Sequence, residues 1–283
     1  MRNRPRRSWL LVLTVDDRKV AKAAQSNADV LILDLTDSVV PELKAEARRR
    51  VVAWLTGGHP FGDKQLVIKP NNLWSEWGKE DLQAIAPLNF TAVYYPEARC
   101  AEELRFVQQA LDQAGSAAEI AVLLETPQSF IALRDLVTVP RVSTLCHAQG
   151  DLAVNLGATL TDTRETLLYT ASQTVLFARA YGLDSIDTIL PSNLRDNTIT
   201  RCYVESSRRM GFTACSTFYA PHIDTINAVF SPTAAELQEA REIVVTYKKV
   251  QDQGRAAYVQ ENGKWVTVHQ YRQAQEILER FGP

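Results

Sequence analysis

Two carboxylates, Glu125 and Asp151, lie at positions where parallel-strand folds place chemistry. Each follows a short apolar run, 119–125 and 142–148, and the two runs are consecutive in the chain. Carboxylates that converge at neighbouring strand ends repel each other unless they are protonated, splayed apart or bound to a cation. A hard cation such as Mg²⁺ takes one or two carboxylates together with water and substrate oxygens, so one interpretation is a magnesium site. The other is that these carboxylates cap the helices that begin beside them.

Further polar side chains close the other apolar runs, at the strand ends where barrel enzymes collect their substrate contacts. The candidates for substrate binding are Asp34, Asp37, Lys69, Asn71 and Arg7. Lys69 and Asp37 are also the candidates for the catalytic acid–base group, which the sequence does not identify.

Other chemistries find less support in the sequence. His147 ends an apolar run, where a histidine is more often packed and hydrogen-bonded than a metal ligand. The sequence contains no HxxxH or HxH spacing for zinc and no GxSxG for a serine hydrolase. Trp74 and Trp77 either pack on the rim of the fold or stack on a ring-bearing ligand.

The elements that must position these residues are short apolar runs separated by amphipathic stretches. Continuous apolar runs are typical of parallel strands that are buried on both faces. Two weaker runs, 184–190 and 211–219, follow six clear ones, which are 9–15, 30–35, 65–70, 91–96, 119–125 and 142–148. About eight strand–helix repeats, with no GxGxxG or GxxxxGK[ST] phosphate loop, favour a (β/α)₈ TIM barrel of the α/β class over a doubly wound sheet.

The pattern changes after about residue 232. Thr233 and Glu236 have the spacing of a capping box before a helix over 234–250. A hairpin-like Glu-Asn-Gly turn follows, and then a last helix that runs to Phe281. We therefore predict a single domain over 1–283, with the barrel over 8–232 and a C-terminal helical and hairpin arm over 233–283. The arm is expected to pack on the barrel or on a neighbouring subunit.

Composition and charge argue against several classes of partner. A net charge of −2 provides no field that would draw the chain to nucleic acid or a membrane, which leaves a small-molecule substrate. Four cysteines without CxxC spacing are typical of a reduced, cytoplasmic protein. The first apolar run, 9–15, is too short for a signal-peptide core or a membrane span.

The start of the chain is basic. Within the first eight residues the arginines are Arg2, Arg4, Arg6 and Arg7. They form either a frayed, solvated tail or a phosphate-binding group at the mouth of the barrel.

With these features in place, the chain resembles the citrate lyase β-subunit-like proteins of the HpcH/HpaI aldolase superfamily. The resemblance covers nearly the whole chain, through segments 6–48, 123–142, 150–158, 178–187, 229–244 and 262–278. It implies a (β/α)₈ barrel that assembles as a trimer or hexamer. It also implies Mg²⁺- or Mn²⁺-dependent cleavage or formation of carbon–carbon bonds in hydroxy acids or their coenzyme A thioesters. The family's metal ligands, a Glu in E-T-P and an Asp in D-L-A, correspond to Glu125 and Asp151.

The chain also departs from the family pattern at its substrate-binding positions. Val67 stands where the third strand usually carries an Arg for the substrate carboxylate, and Thr267 stands where acyl-CoA lyases carry an acid–base Asp. Other departures are Leu13-Thr14 for Pro-Gly, Thr36 for Glu in D-L-E-D, Pro96-Glu97 for Pro-Lys, and altered residues at 148–150 and 218–220. Each lost charge-assisted contact costs about 1.5–3 kcal/mol, so the usual substrates fit poorly.

Three functions remain open at this point. The favoured one is a metal-dependent lyase or aldolase of the same reaction type that acts on a non-standard substrate. The second is a conventional acyl-CoA lyase whose missing groups come from elsewhere. The third is a catalytically altered barrel that serves as a ligand-binding or accessory subunit.

Overall fold

Eight parallel strands form a closed barrel in the computed structural model, which describes residues 5–282. Each strand pairs with the next one along the chain, and the last pairs with the first. The strands are β1 (Ser8–Leu13), β2 (Val30–Asp34), β3 (Gln65–Lys69), β4 (Ala92–Tyr95), β5 (Glu119–Leu124), β6 (Val142–His147), β7 (Asp184–Thr188) and β8 (Ala214–Thr217). The predicted α/β TIM barrel is confirmed.

The first six strands are mostly apolar because both of their faces are buried, whereas β7 and β8 carry more polar residues. Side chains at alternate positions, such as Ile32 and Leu123, belong to a cluster made almost entirely of strand residues, which fills the barrel interior. Their neighbours in sequence, such as Leu33 and Leu124, belong to the larger cluster shared with the surrounding helices. The interior is therefore packed with side chains, and ligands can reach it only at the ends of the strands.

Ten helices of four residues or more are described between the strands and directly after β8. Their bounds are α1 (Asp17–Gln25), α2 (Lys44–Gly57), α3 (Gly78–Ile85), α4 (Ala101–Gln113), α5 (Pro127–Ile131), α6 (Leu133–Leu136), α7 (Gln149–Leu156), α8 (Leu168–Tyr181), α9 (Asn197–Met210) and α10 (Ile223–Phe230). Gly78 begins α3 so close to the preceding loop that a Cβ there would lie 1.9 Å from the carbonyl oxygen of Asn72. None of the described helices is long and apolar enough to span a bilayer.

The chain from Phe230 onward forms a second compact unit, separate from the unit over Arg6–Val229. It contains α11 (Ala234–Asp252), a two-stranded hairpin of β9 (Tyr258–Val259) and β10 (Trp265–Val266), and α12 (Val268–Phe281). The predicted capping box at Thr233 and the predicted hairpin are both present. The predicted division into one domain over 1–283, with a barrel over 8–232 and an arm over 233–283, stays a prediction.

The described part of this second unit has its own apolar core. Tyr247 of α11 stacks on Tyr271 of α12, with ring centroids 4.8 Å apart. Ile243, Val266 and Ala274 pack around this pair.

Candidate active site

Glu125 lies directly after β5 and is 3% exposed. Its Oε1 accepts a 2.5 Å hydrogen bond from the backbone N–H of Glu97, a residue held at a φ of 48°. Burial raises the pKa of Glu125 to about 7, nearby Lys69 opposes that shift, and the charge of Asp151 adds to it. A cation at this position would relieve both the burial cost and the repulsion between the two carboxylates.

Asp151 lies in the first turn of α7, the helix that begins directly after β6. One turn later, Asn155 Nδ2 donates a 2.9 Å hydrogen bond to the backbone carbonyl of Glu125, which ties α7 to the end of β5. Neither carboxylate is a helix cap, because Thr126 caps α5 and Ala148 holds the N-cap position of α7. The structure thus brings the two carboxylates together and excludes the helix-capping interpretation.

Lys69 ends β3, and its ammonium group is buried among three carboxylates. Its Nζ lies 3.2 Å from Asp37 Oδ2. Burial disfavours the charged form, but Glu125, Asp34 and Asp37 together raise the pKa of Lys69 above its ordinary value. Lys69 is therefore a fixed positive charge at the carboxyl end of the barrel.

The two aspartates of the β2 loop differ in their surroundings. Asp34 is buried and accepts hydrogen bonds from Thr36 N at 2.9 Å and Thr36 Oγ1 at 2.7 Å, which shapes the loop. The side chain of Asp37 is 87% exposed. Partial desolvation of its carboxyl beside Lys69 would raise the pKa of Asp37, but the charge of Lys69 and its hydrogen bond to Asp37 outweigh this and hold the pKa below its ordinary value.

The side-chain amide of Asn71 is hydrogen-bonded within the protein. Its Nδ2 donates to Leu35 O at 2.8 Å and to Asp81 Oδ2 at 2.6 Å, while its Oδ1 accepts from Lys44 Nζ at 2.8 Å. The residue lines a cavity at the rim, but these bonds give it a structural role in the β3–α3 loop.

The assignment of Arg7 to substrate binding is corrected by the structure. Arg7 precedes β1, so it lies at the amino end of the strands, opposite the carboxylates, where it pairs with Asp29 at 2.8 Å. Arg6 lies at the same end and pairs with Glu119 at 2.9 Å. Neither arginine is part of a frayed tail or of a phosphate site at the mouth. Arg2 and Arg4 lie outside the described residues.

A cavity of about 440 Å³ opens at the carboxyl end of the barrel. It is lined by Leu11, Leu13, Ile32, Asp34, Asp37, Ser38, Lys69, Tyr94, Leu123, Glu125, Ala148, Gly150, Asp151, Thr188, Leu190, Ser216, Thr217 and Phe218. A flanking cavity of about 400 Å³ shares Asp37, Glu125 and Asp151 with it and continues past Lys44 and Trp77. The predicted metal pair thus lines both cavities.

Several polar residues of this region were not among the predicted site residues. Tyr94, Thr188 and Ser216, which lie on β4, β7 and β8, line the central cavity. The alternation of side chains along a strand could have indicated Tyr94. Tyr94 faces the barrel interior, whereas Tyr95 packs in the outer cluster with the helices. His147 is fully buried and hydrogen-bonded to Asp187 and Thr170, so it is a packed residue.

The donor set fits a magnesium ion better than a zinc ion. Within residues 5–282, no group of three or more His, Cys, Asp or Glu side chains is placed to enclose a metal. Glu125 and Asp151 supply two carboxylates and leave the remaining coordination positions to water and substrate. Mg²⁺ prefers that arrangement, whereas zinc prefers nitrogen and sulfur ligands.

Comparison with known proteins gives the family of the chain. Over 255 residues the chain is 28% identical to a (3S)-malyl-CoA thioesterase of Cereibacter sphaeroides, covering 90% of this chain and 87% of that protein. It is 25% identical to the mitochondrial citramalyl-CoA lyase of Mus musculus, covering 97% and 85%. The structure of the CitE protein of Mycobacterium tuberculosis in complex with magnesium, acetoacetate and coenzyme A superposes with a TM-score of 0.77 at 21% identity, covering both chains fully. Residues 7–220 match the HpcH/HpaI aldolase/citrate lyase family model, and the chain belongs to that enzyme family.

Proposed function

We propose that this chain is a Mg²⁺-dependent carbon–carbon lyase or aldolase that acts on a hydroxy acid or its coenzyme A thioester, with a non-standard substrate. The observation that carries the proposal is the pairing of buried Glu125 with Asp151 on the wall of one cavity. The relatives named for malyl-CoA and citramalyl-CoA, and the CitE complex with magnesium and coenzyme A, support it. Mn²⁺ is the alternative ion.

Four charged residues of the cavity can be given roles in this reaction. When bound, the ion would polarise the substrate's oxygens and stabilise the enolate that forms as the carbon–carbon bond breaks. Glu125 and Asp151 would hold it. Lys69 remains protonated and supplies a fixed positive charge, while ionised and exposed Asp37 is the group able to accept a proton.

A non-standard substrate follows from the residues that replace the family's binding groups. Val67 is fully buried in the barrel interior and offers no charge to a substrate carboxylate. Thr267 caps α12, accepting a hydrogen bond from His269 N. These same losses also favour the alternative function, in which a catalytically altered barrel binds a ligand or serves as an accessory subunit.

Calorimetric titration of the protein with Mg²⁺ tests the proposed metal site. It is done at pH 8, where Glu125 is mostly ionised. We expect binding to the wild type and its loss in Glu125→Gln and Asp151→Asn. Glu46→Gln is the matched control, because Glu46 is a partly exposed carboxylate on α2 that lines neither cavity. Absence of heat in the wild type would refute the metal site.

The substrate class is tested with hydroxy acids and with malyl-, citramalyl- and citryl-CoA. Cleavage of a hydroxy acid or a different thioester supports the favoured function, and rapid cleavage of these three thioesters would identify a conventional acyl-CoA lyase. Inactivity on all of them favours the accessory function.

We further propose that the protein is a cytoplasmic homo-oligomer. The four cysteines are free thiols, which supports a reducing compartment, and the family resemblance implies assembly as a trimer or hexamer.

A further inference from the structure

Four side chains from four different strands form a ring-shaped polar group on one side of the central cavity. The hydroxyl of Tyr94 lies 2.6 Å from Cys146 Sγ, which lies 3.6 Å from Thr188 Oγ1. Thr188 Oγ1 lies 2.9 Å from Ser216 Oγ, and Ser216 lies beside the Tyr94 hydroxyl. We call this set the hydroxyl ring. Three of its members, all except Cys146, line the cavity that holds Glu125 and Asp151.

The hydroxyl ring is uncharged, and its oxygen atoms can accept further hydrogen bonds. Burial raises the pKa of Cys146 to about 11 and that of Tyr94 well above its ordinary value, so both keep their protons at neutral pH. The set has four protons and three hydrogen-bond contacts. Because a hydroxyl oxygen can accept two hydrogen bonds, the set can accept further hydrogen bonds from a ligand.

The charges on the rest of the cavity wall are mostly negative. Among the lining residues that the structure describes, Lys69 is the single cation, and it is already surrounded by carboxylates. The acidic lining residues are Asp34, Asp37, Glu125 and Asp151. One bound Mg²⁺ would hold one carboxylate of a substrate. A second carboxylate would find no free cation on this wall and would be repelled by the acidic groups.

We propose that the hydroxyl ring binds an uncharged, hydroxyl-bearing group of the substrate, so that the preferred substrates are hydroxylated monocarboxylic acids and not dicarboxylic acids. This inference rests on the proposed function for the chelated end of the substrate. Tyr94, Thr188 and Ser216 are then specificity-determining residues, which recognise the end of the substrate that the metal does not hold. A site built to pair a hydroxyl discriminates against analogues that lack it, because its polar groups would be left without that partner.

The test uses three acids with the same four-carbon skeleton and matched configuration at C2: 2,4-dihydroxybutanoate, malate and 2-hydroxybutanoate. Each chelates through its C1 carboxylate and 2-hydroxyl, and they differ only at C4, which is a hydroxymethyl, a carboxylate or a methyl group. Binding to the Mg²⁺-saturated full chain is measured by calorimetry. We expect 2,4-dihydroxybutanoate to bind about three- to tenfold more tightly than either of the others, the worth of one or two neutral hydrogen bonds.

Variants assign the preference to the hydroxyl ring. Thr188→Val should abolish the preference for 2,4-dihydroxybutanoate and Thr188→Ser should keep it, while both variants retain the wild-type affinity for Mg²⁺. Ser143→Ala is the matched control, because it deletes a hydroxyl at the amino end of β6, outside the cavity. Tighter binding of malate, absence of 2,4-dihydroxybutanoate binding, or a preference that survives Thr188→Val would overturn the inference. Failure of Mg²⁺ itself to bind would be seen in the separate metal titration and would identify the proposed function as the point of failure.

Discussion

Asn155 Nδ2 donates a 2.9 Å hydrogen bond to the backbone carbonyl oxygen of Glu125, and Asn155 lies one helical turn after Asp151. The amide therefore fixes α7, which carries one proposed metal ligand, against the residue that supplies the other. Positions four apart share a face of a helix, so Asp151 and Asn155 both point towards the end of β5. The spacing of the two carboxylates thus depends on a residue that is not itself a ligand.

Asn155→Ala should weaken Mg²⁺ binding about three- to tenfold, since one neutral hydrogen bond is worth about 0.5–1.5 kcal/mol. The fold should be almost unaffected, because Asn155 is exposed apart from this bond. Calorimetric titration measures the affinity, and Val154→Ala, at the exposed neighbouring position, is the control. An Asn155→Ala protein with wild-type affinity would show that the hydrogen bond does not position the ligands.

Lys69→Met should destabilise the metal-free protein by about 3 kcal/mol, because Lys69 is 6% exposed and its loss leaves buried carboxylates uncompensated. Added Mg²⁺ should raise the melting temperature of this variant more than that of the wild type, since the ion replaces the missing positive charge and no longer meets a neighbouring cation. Thermal melts with and without Mg²⁺ measure both effects. Lys69→Arg keeps the charge and serves as the control; equal Mg²⁺ shifts in wild type and Lys69→Met would contradict this account.

The barrel could be predicted because its signals are local. Six of the strands are clear apolar runs, and the carboxyl ends of consecutive parallel strands must lie side by side, which placed Glu125 beside Asp151. Arg7 was misassigned although its position before the first strand already places it at the amino end of the barrel. Its partner Asp29 precedes β2, and that pairing is visible only in the fold.

Side chains that cooperate across distant strands could not be predicted. The hydroxyl ring joins Tyr94 to Ser216, and each residue reads in the sequence as an ordinary member of its own strand. The amide of Asn71 looked free for a substrate, since its partners Lys44 and Asp81 lie on two different helices. Such networks depend on three-dimensional proximity, and a single sequence records only the order of the residues.

His222 should titrate with a pKa below its ordinary value of 6.5, because it is buried, although its contact with the Leu194 carbonyl works in the opposite direction. The folded protein then takes up this proton less readily than the unfolded chain. The contribution of neutral His222 to stability is therefore complete above pH 6.5 and declines as the pH falls from 6.5 towards the folded pKa. NMR titration of the imidazole resonances measures the pKa, with His222→Asn to assign the signal. A pKa at or above 6.5 would contradict the prediction.

The second unit offers a test of assembly. If it crosses to a neighbouring subunit, the full chain should be a trimer or hexamer in solution, and removal of the residues after Val250 should lower the mass to that of smaller species. The truncation also uncovers Ile243 and Tyr247, which pack against Val266 and Ala274, so retained secondary structure must be checked by circular dichroism. Light scattering coupled to size-exclusion chromatography gives the mass. An unchanged oligomer after truncation would exclude this unit as the source of assembly.

Asp187→Asn should lower the free energy of unfolding by about 3–5 kcal/mol, the usual cost of leaving a buried charge without its partner. Asp187 is fully buried, and Arg164, which is 2% exposed, donates to its Oδ2 at 2.5 Å. Ser207 Oγ and Gln149 Nε2 donate to the same carboxylate, each at 2.6 Å. An asparagine keeps the shape but removes the charge that compensates the guanidinium. Urea unfolding measures the loss, and Glu165→Gln, which neutralises an exposed carboxylate beside Arg164 in the chain, should leave the stability almost unchanged. If Asp187→Asn cost no more than that control, the Arg164–Asp187 pair would not be a main support of the β7 side of the barrel.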